Sequence, residues 1–382
     1  MSHKLSQLGD ISVEQFLSEY WQQKPLLIRQ ALPGFETPLS PDEMAGLSLE
    51  EEIESRIVLE SHQDKPWQLL KGPFEETLYQ ELPDRNWTLL LQALDLYIPE
   101  LKDLREKFQF LPDWRLDDVM ASFAVDGGSV GPHYDHYDVF LLQGYGKRHW
   151  QIGQSCNEDS AQLAGTPLNI LQEFQCLESH VLEPGDILYL PPKVAHWGIA
   201  QGDCITYSVG FRAPSQAQLV EEHFQSLAES FSEFQRYQDP SIKTRAHSHE
   251  LLSEDIKRVQ DILLERLKSS PEEIAQWFGR MLSETKYCNE AGLAEPPCEL
   301  PEYLIKASET RCLFFRKQDG SAELFVNGEQ LHCPVQVAID ICEQDTLVCQ
   351  DVIRQFEKDE AGLSFIQQLI SLTAYFEDQD DY

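Results

Sequence analysis

The sequence lacks the features that mark membrane-spanning and secreted proteins. No stretch approaches the roughly eighteen consecutive apolar residues that a membrane helix needs. The beginning of the chain, MSHKLSQLGDISVEQF, contains no apolar core of the kind found in signal peptides, so we expect a cytoplasmic protein. The nine cysteines include no CxxC pair, which disfavours a zinc ribbon or a disulfide framework and favours reduced, mostly buried thiols.

Basic residues are scarce relative to acidic ones. The chain has 30 lysines and arginines against 65 aspartates and glutamates, a formal net charge of −35 at pH 7. A field of this sign repels nucleic acid and steers cationic proteins towards the surface. We therefore expect no direct binding to nucleic acid and a basic protein or peptide as partner, although solubility alone is the simpler reason for such a charge.

With 382 residues the chain is long enough for two or three domains, and three regions differ in pattern. Residues 1–212 combine short helices with strand-like runs separated by Gly, Pro and Asp turns, which predicts an antiparallel β barrel or sandwich with helical decoration. Residues 213–285 have helical periodicity, and residues 286–382 mix helices with a hairpin. The strand-like runs of the first region are PLLIRQAL, DVFLLQGYG, RHWQIG, DILYLPP and ITYSVGFR.

The middle region is predicted to be entirely helical. Its first apolar residues recur at steps of four and three, the period of an amphipathic helix: Val220, Phe224, Leu227, Phe231 and Phe234. The segment SEDIKRVQDILLERL begins at a candidate N-cap serine, and SSPEEIAQWFGRML has proline at its first helical position. These apolar stripes must be covered by the barrel or by a second copy of the chain, and we expect a homodimer.

The last region is predicted to be a small α+β module of the winged-helix type. The pattern indicates a helix at PEYLIKA, a hairpin at CLFFRKQDGSAELFVNG, and helices near PVQVAIDIC, DVIRQF and AGLSFIQQLISLTAYF. Residues 286–382 carry 19 acidic and 7 basic residues, the wrong balance for gripping a phosphate backbone. A protein-contact surface fits this charge better.

Residues 133–138 read HYDHYD, so two copies of an HxD unit are candidates for a metal site. On a strand, residues at i and i+2 face the same side, and either His133 with Asp135 or His136 with Asp138 could hold one ion. A third ligand is available in EPGDILYLPPKVAHWG, where His196 follows a short apolar strand 61 residues after Asp135. This combination is typical of the two-histidine, one-carboxylate facial triad of non-haem iron oxygenases.

The alternation of the following run DVFLLQ does not choose between the two copies, because both of its faces are apolar. Position favours the first copy. His133 comes directly after GGSVGP, a flexible loop that leads into the strand. A metal that must be reached by dioxygen and a bulky substrate is expected near such a loop, at the open end of the barrel.

A facial triad leaves three positions of an octahedral ion open, enough for a chelating 2-oxo acid and dioxygen. The far carboxylate of the 2-oxo acid then needs a buried cation. In GYGKRHWQIG, Arg148, Trp150 and Ile152 share one strand face, and the two large apolar residues predict that this face is the inner one. Arg148 is therefore the candidate for a bidentate bond to that carboxylate, with a structural acid partner as the alternative.

The sequence resembles the JmjC-type cupin oxygenases, and more narrowly the bacterial ribosomal oxygenases. The resemblance is carried by VGPHYDHYDVFLLQGYGKRHWQIG, LEPGDILYLPPKVAHWG and YSVGFRAP, and it extends to EYWQQKPLLIR, ESHQDKPWQLLKGPFE and LPDWRLDDVMASF. It covers nearly the whole chain. It implies a double-stranded β-helix (cupin/JmjC) catalytic barrel at 1–212, a helical dimerisation region at 213–285 and a winged-helix-like domain at 286–382.

The resemblance also implies the residues of the site. By position it assigns Fe(II) to His133, Asp135 and His196, and the co-substrate 2-oxoglutarate to Arg148, with Ser122 near the same co-substrate. O2 is the second co-substrate of such enzymes.

The second HxD copy then has another role. His136 becomes a polar neighbour of the metal, although a second imidazole there would also permit another binding register. Asp138 and Asp126 could offer a carboxylate to a cationic substrate side chain, or could equally serve as turn and strand-edge partners. His247 and His249, in RAHSHE, are expected to be solvated.

The function implied by the resemblance is a 2-oxoglutarate-dependent dioxygenase that 3-hydroxylates an arginine of a basic protein of the large ribosomal subunit. The net charge favours a free ribosomal protein over one surrounded by RNA. Two alternatives remain open from the sequence: hydroxylation of a ribosomal-protein histidine, and a non-catalytic cupin and winged-helix regulator. Demethylation of methylated lysine or arginine is a third use of the same metal.

Overall fold

The structure is a computed structural model that describes residues 4–60, 67–232, 234–240, 242–286, 300–372 and 375–377. It divides into two compact units, Met1–Ala213 and Pro214–Tyr382. The boundary between these two units therefore lies next to the one expected after residue 212. The further boundary expected at residue 285 stays a prediction.

The first unit contains eleven of the described strands and four α-helices. The strands are β1 (Gln7–Leu8), β2 (Ile11–Ser12), β3 (Leu26–Ile28), β4 (Ser55–Glu60), β5 (Trp67–Lys71), β6 (Trp87–Leu91), β7 (Leu116–Ala124), β8 (Val139–Ser155), β9 (Glu178–Leu182), β10 (Ile187–Leu190) and β11 (Val194–Phe211). The helices are α1 (Val13–Glu19), α2 (Pro41–Leu47), α3 (Leu78–Glu81) and α4 (Pro99–Glu106). Short 3-10 turns occupy Leu94–Leu96 and Asp113–Arg115.

Nine of these strands form one antiparallel sheet in the order β3, β10, β8, β11, β7, β6, β4, β5, with β9 paired to β8. The two longest strands, β8 and β11, lie side by side at its centre. The first half of β8 pairs with β10 and its second half with β9. The antiparallel β architecture expected from the strand-like runs is present.

The two faces of this sheet differ in chemistry. On one face, alternate residues of the central strands join the main apolar core, among them Phe123, Phe140 and Tyr207. Helical residues such as Phe16 and Leu101 belong to the same core, so α1 and α4 cover this face. The residues between them face the other way. This second face, the polar face, contains the buried polar residues Ser122, Gln143, Arg148, His196 and Thr206, next to a small apolar cluster that includes Leu141 and Trp150.

The PGD turn before β10 is anchored by Asp186, which is almost fully buried. Its carboxylate accepts hydrogen bonds from the backbone N–H groups of Gln30 (2.9 Å) and Glu183 (3.0 Å) and pairs with the guanidinium of Arg29 (2.6 Å). Burial alone would raise the pKa of Asp186, but these bonds outweigh it and hold the pKa below its ordinary value of 3.8.

We expect an Asp186→Asn variant to lose about 1–3 kcal/mol in free energy of unfolding at neutral pH, because a buried charged acceptor is removed. A depressed folded-state pKa stabilises the fold above the ordinary pKa, and this contribution disappears as pH falls through the folded-state value. Urea unfolding from pH 7 to pH 3 should therefore show the variant and wild type converging at the acid end. A difference that does not change with pH would contradict this assignment.

The second unit begins with helices α5 (Gln216–Glu229), α6 (Ser253–Arg266) and α7 (Pro271–Ser283). The remaining elements are β12 (Tyr303–Lys306), β13 (Cys312–Arg316), β14 (Ser321–Val326), β15 (Glu329–Pro334), α8 (Val335–Glu343), β16 (Thr346–Val348), α9 (Cys349–Ile353), α10 (Asp359–Ser371) and β17 (Tyr375–Glu377). Strands β13, β14 and β15 form the predicted hairpin with one added strand, and α8, α9 and α10 lie where helices were predicted.

Helix α7 packs directly on the β13–β15 sheet. Gly279 lies so close to the Phe325 ring that an added Cβ would come within 2.4 Å of it. The Ser283 hydroxyl accepts a hydrogen bond from the backbone N–H of Gly328 (3.0 Å). The predicted N-terminus of α7 is confirmed, with Pro271 in the first turn and a capping box between Ser270 and Glu273.

Several local predictions in this unit were wrong. The middle region is not entirely helical, because the described residues between α5 and α6 form no helix, and the last predicted helix ends at Ser371, before strand β17. The segment PEYLIKA is not a helix, because Tyr303–Lys306 forms strand β12 between β16 and β17, and tertiary pairing overrides the local pattern. Helix α5 ends at Glu229, before Phe231 and Phe234, and the Ser232 hydroxyl accepts the Phe234 N–H in a local turn. In α6, Ser253 is the first helical residue, and Leu252 occupies the N-cap.

Within the described residues, the helices are all too short or too polar to span a bilayer.

Candidate metal and co-substrate site

The first HxD copy and His196 come together at the start of β11. Residues 133–138 do not form the strand that was expected; they precede β8, and His133 makes a single antiparallel bridge with His196. The bridge has two backbone hydrogen bonds, His133 N to His196 O (3.1 Å) and His196 N to His133 O (2.8 Å). Asp135 is held by a third, from Lys193 N to its carbonyl (2.7 Å).

Both imidazoles are oriented by backbone carbonyls. Nδ1 of His133 lies 2.9 Å from the Gly131 carbonyl, and Nδ1 of His196 lies 3.0 Å from the Val194 carbonyl. A carbonyl can only accept, so the Nδ1 of each ring carries a hydrogen, and Nε2 is the ring nitrogen left for a metal. Burial, together with the neighbouring His133, lowers the pKa of His196 to about 4, so this ring is neutral at pH 7. Imidazoles oriented in this way are suited to bind a metal.

The third donor of the cluster is a carboxylate. Oδ2 of Asp135 lies 3.6 Å from Nε2 of His196, and one ligand atom from each of His133, Asp135 and His196 lies within 4.8 Å of the others. In the described part of the chain, these residues form the one group of three or more His, Cys, Asp or Glu side chains with this spacing. Two imidazoles and one carboxylate on one side of an ion suit Fe(II). The set fits the predicted metal.

The second HxD copy lies apart from this cluster. His136 is exposed, and its ring packs against Tyr134. Asp138 has no exposed surface, and its carboxylate accepts hydrogen bonds from the Tyr189 hydroxyl (2.7 Å), Gln22 Nε2 (2.9 Å) and Arg115 Nη2 (3.2 Å). Asp138 is thus surrounded by protein donors and is not placed to meet a substrate.

The other predicted polar residues also have local partners or lie in solvent. Asp126 pairs with Arg85 (2.6 Å) and accepts the backbone N–H of Gly202 (2.9 Å), the turn role that was its alternative interpretation. His247 and His249 are exposed, as expected.

An Asp138→Ala variant is expected to lose about 3 kcal/mol of stability or more, because it leaves Arg115 and the Tyr189 hydroxyl without their buried acceptor. Metal affinity of the folded variant should stay close to wild type. Thermal unfolding, combined with titration of Mn(II) into the folded protein, separates the two effects. A folded Asp138→Ala protein that has lost its metal would instead place this residue among the ligands.

Arg148 points into the polar face, as the alternation along β8 predicted. Its exposed fraction is 3%, and Trp150 and Ile152 are buried on the same side. Nη1 donates to the hydroxyl of Ser122 (2.9 Å) and to that of Thr206 (3.4 Å). The predicted neighbour Ser122 therefore contacts Arg148 directly.

The guanidinium of Arg148 has no ion-pair partner among the described residues, so the structural acid considered as an alternative is not found there. Its Nε is buried without a hydrogen-bond acceptor, and so is Nε1 of the neighbouring Trp150. Burial lowers the pKa of Arg148, which reflects the cost of keeping this charge away from water. An anionic ligand would relieve that cost, so the pocket fits a carboxylate.

Trp150 lies between the two parts of the site. Its ring centre is 6.0 Å from that of His196, and the Arg148 guanidinium carbon is 5.3 Å from the ring centre. Gly198 lies opposite Trp150 on β11, where an added Cβ would be within 2.9 Å of three ring atoms. The indole ring of Trp150 therefore lies close both to His196 of the candidate metal cluster and to the guanidinium of Arg148.

Sequence reasoning missed two buried polar residues of this face, Thr206 and Gln143. Each lies next to apolar residues in a strand-like run, in ITYSVGF and DVFLLQG, and a polar residue at such a position was the available signal. It also missed the acidic surroundings of the half-exposed Tyr137, whose pKa is raised by partial burial and by Asp135, Asp118 and Asp117. Of these carboxylates, Asp135 is the candidate metal ligand, whereas Asp117 is paired with Arg212 (3.0 Å), and Arg56 acts on the pKa of Tyr137 in the opposite direction.

Comparison with known proteins agrees with this geometry. Residues 103–219 match the JmjC domain, and residues 263–376 match the ROXA-like winged helix. The chain is 34% identical to the ribosomal protein uL16 3-hydroxylase of Escherichia coli (strain K12), over 94% of this chain and 96% of that protein. The chain belongs to the JmjC-domain ribosomal oxygenases.

Solved structures of a ribosomal oxygenase extend the likeness to the whole fold. The X-ray structure of E. coli YcfD is matched with a TM-score of 0.83 at 33% identity, over 97% of this chain and all of that one. YcfD in complex with cobalt and 2-oxoglutarate is matched with a TM-score of 0.80, again at 33% identity, over 97% of this chain and 99% of that chain. The family and fold expected from the sequence motifs are confirmed.

The winged-helix match also concerns the second unit of this ribosomal oxygenase. It begins at residue 263 and so includes α7, the helix that packs on the β13–β15 sheet. The contacts of Gly279 and Ser283 join α7 to the winged-helix sheet. Helix α7 also contacts α5, because the ring centre of Trp277 lies 4.6 Å from that of His223.

Proposed function

We propose that this ribosomal oxygenase is an Fe(II)- and 2-oxoglutarate-dependent dioxygenase that 3-hydroxylates an arginine of a large-subunit ribosomal protein. The observation that carries the proposal is the pairing of a two-histidine, one-carboxylate cluster with a buried guanidinium that has no acid partner in the described part of the chain. His133, Asp135 and His196 would hold the iron, and Arg148 with Ser122 would hold the far carboxylate of 2-oxoglutarate. The cobalt and 2-oxoglutarate bound to YcfD support this assignment.

When bound, the iron supplies oxygen activation coupled to oxidative decarboxylation of 2-oxoglutarate to succinate and carbon dioxide. The protein's own part is positioning. Gly131 and Val194 fix the imidazole rings through their carbonyls, and Arg148 offers charge-assisted hydrogen bonds at the closed end of the pocket. Trp150 is buried in an apolar cluster with Ile152 and Leu182, which would disfavour water on this side of the site.

The substrate is proposed from the relative and from charge. The E. coli relative is named as a 3-hydroxylase of ribosomal protein uL16, and the resemblance noted in the sequence implies arginine as the modified residue. A net charge of −35 and the carboxylates around Tyr137 suit a cationic side chain on a basic protein. The same charge disfavours direct binding to nucleic acid. A ribosomal-protein substrate supports a cytoplasmic location.

The deciding experiment is incubation of the Fe(II)-loaded protein with 2-oxoglutarate and recombinant uL16, followed by peptide mass spectrometry. We expect a mass increase of one oxygen atom on an arginine, with stoichiometric succinate. A histidine carrying the oxygen would favour the alternative hydroxylase. Loss of a methyl group from a methylated peptide would indicate a demethylase. The absence of succinate with any ribosomal protein would favour a non-catalytic regulator.

We also propose a homodimer formed through the helices of residues 213–285. Large apolar side chains of these helices are exposed in the single chain: Val220, Phe224, Ile256, Val259, Ile262, Leu263 and Leu264. Apolar stripes of this kind need a cover, and a second copy is the simplest one. Sedimentation velocity should then give twice the mass of the chain.

A further inference from the structure

A fully buried glutamine, Gln143, lies where β8 bends beside the pocket. Ile205 pairs with Tyr145 and Thr206 with Gln143, so Gly144 is an extra residue in β8 at this point. Such a bulge breaks the regular hydrogen bonding of the ladder. The side chain of Gln143 repairs it, because its Nε2 donates to the carbonyl of Tyr145 (2.8 Å).

This bond fixes which way the amide of Gln143 faces. A carbonyl cannot donate, so the atom opposite Tyr145 O must be the amide nitrogen, and the amide oxygen must point the other way. There Oε1 accepts the hydrogen of the Thr206 hydroxyl (3.1 Å). The backbone of Gln143 is held as well, through Asp186 O (3.0 Å) and Gly185 N (2.9 Å).

The orientation of Thr206 determines what it can offer to Arg148. A hydroxyl has one hydrogen, and that of Thr206 is committed to Gln143, so only its lone pairs face Nη1 of Arg148 (3.4 Å). Ser122 is in the same situation, because its hydrogen goes to the Thr206 carbonyl (3.3 Å) while its oxygen accepts from Nη1 (2.9 Å). Both hydroxyls therefore act as acceptors towards one nitrogen of the guanidinium.

The other edge of the guanidinium is left for a ligand. Nη1 is anchored by two acceptors, whereas Nε and Nη2 make no hydrogen bond to any residue in the described ranges. The Nε and Nη2 edge of arginine is one of those that match a carboxylate in a bidentate pair. Rotation of the guanidinium away from this arrangement would cost the two Nη1 bonds.

We propose that Gln143 is a positioning residue for the co-substrate: by fixing the Thr206 hydroxyl as an acceptor, it anchors Nη1 of Arg148 and turns the free edge of the guanidinium to the dicarboxylate. The inference rests on the proposed function for the identity of the ligand. Gln143 itself does not touch the ligand; it acts through Thr206 and Arg148. Without it, the Thr206 hydroxyl is free to rotate, and Nη1 of Arg148 keeps only Ser122 as a fixed acceptor.

The test is calorimetric binding of 2-oxoglutarate to the full-length Mn(II)-loaded protein, which needs no turnover. We expect Gln143→Leu and Thr206→Val each to weaken binding about tenfold, and the double variant to be no weaker than the single ones, because both remove the same interaction. Thr206→Ser keeps the hydroxyl and should restore affinity to within about threefold. Thermal unfolding checks that each variant is folded.

Pyruvate provides the internal control, because it is a 2-oxo acid without the second carboxylate. Its affinity for the same variants should change less than about twofold, since the Arg148 edge is not used. Additive losses in the double variant, or equal losses for pyruvate and 2-oxoglutarate, would overturn the role given to Gln143. The Thr206→Val variant tests the same interaction between Gln143, Thr206 and Arg148 even if the Gln143→Leu protein is unstable. Wild-type protein that binds no 2-oxoglutarate would overturn the proposed function, and this inference with it.

Discussion

Replacing His133 by alanine is expected to lower kcat/KM for hydroxylation about a thousandfold or more, equivalent to about 4 kcal/mol of transition-state stabilisation. The reason is geometric. His133 and His196 are joined by two backbone hydrogen bonds, and the Nδ1 of each ring donates to a carbonyl. The loss of one imidazole would therefore remove a metal ligand whose orientation is fixed. Two remaining protein ligands would hold the metal weakly. Turnover of 2-oxoglutarate and Mn(II) affinity are the measurements.

The doubled motif provides a matched control. His136→Ala makes the same substitution three residues later, on an exposed imidazole that packs only against Tyr134 among the described aromatic residues. We expect this variant to keep metal affinity and turnover within about threefold of wild type, as for a surface change. Equal losses in the His133→Ala and His136→Ala proteins would mean that the second copy also binds the metal, and the ligand assignment would be wrong.

Replacing Arg148 by glutamine is expected to raise the dissociation constant for 2-oxoglutarate about a hundredfold or more. The variant would remove the proposed bidentate, charge-assisted pair at a guanidinium for which the described residues supply no acid partner. Preference for 2-oxoglutarate over pyruvate should nearly disappear, because the residue acts only on the second carboxylate. Binding to the Mn(II)-loaded protein, measured by calorimetry, reports this without turnover.

Lys147→Gln is the control for this change. Lys147 is the preceding residue on β8, but it faces solvent and pairs with Glu183 (2.6 Å) on the surface. An exposed pair of this kind contributes about 0–1 kcal/mol and should not affect the co-substrate. If Lys147→Gln weakened 2-oxoglutarate binding as much as Arg148→Gln, the effect would be one of net charge rather than of a defined contact.

The sequence was sufficient for the parts of the site that depend on short-range pattern. Alternation along β8 predicted the inward direction of Arg148, because side chains change face at every residue of a strand. The HxD unit and His196 lie in separate stretches, and their pairing was predicted from motif spacing and from the family resemblance. The structure shows how the two stretches are held together. His133 and His196 form a backbone bridge, which motif spacing alone could not predict.

What the sequence did not predict depends on contacts between distant segments. Whether Thr206 donates or accepts is decided by the bulge at Gly144, a feature of register between β8 and β11. The strand at Tyr303–Lys306 exists because β16 and β17 pair with it, although its local pattern suggested a helix. The buried role of Asp138 likewise requires Gln22 and Tyr189, which come from other parts of the chain.

The most direct test of the account is the anomalous difference density of crystals grown with Mn(II) and 2-oxoglutarate. We expect a single peak within about 2.0–2.3 Å of Nε2 of His133, Nε2 of His196 and a carboxylate oxygen of Asp135, with the far carboxylate of the ligand on Arg148. A peak bound by His136 or Asp138, or a metal whose coordination positions are all filled by protein, would contradict it.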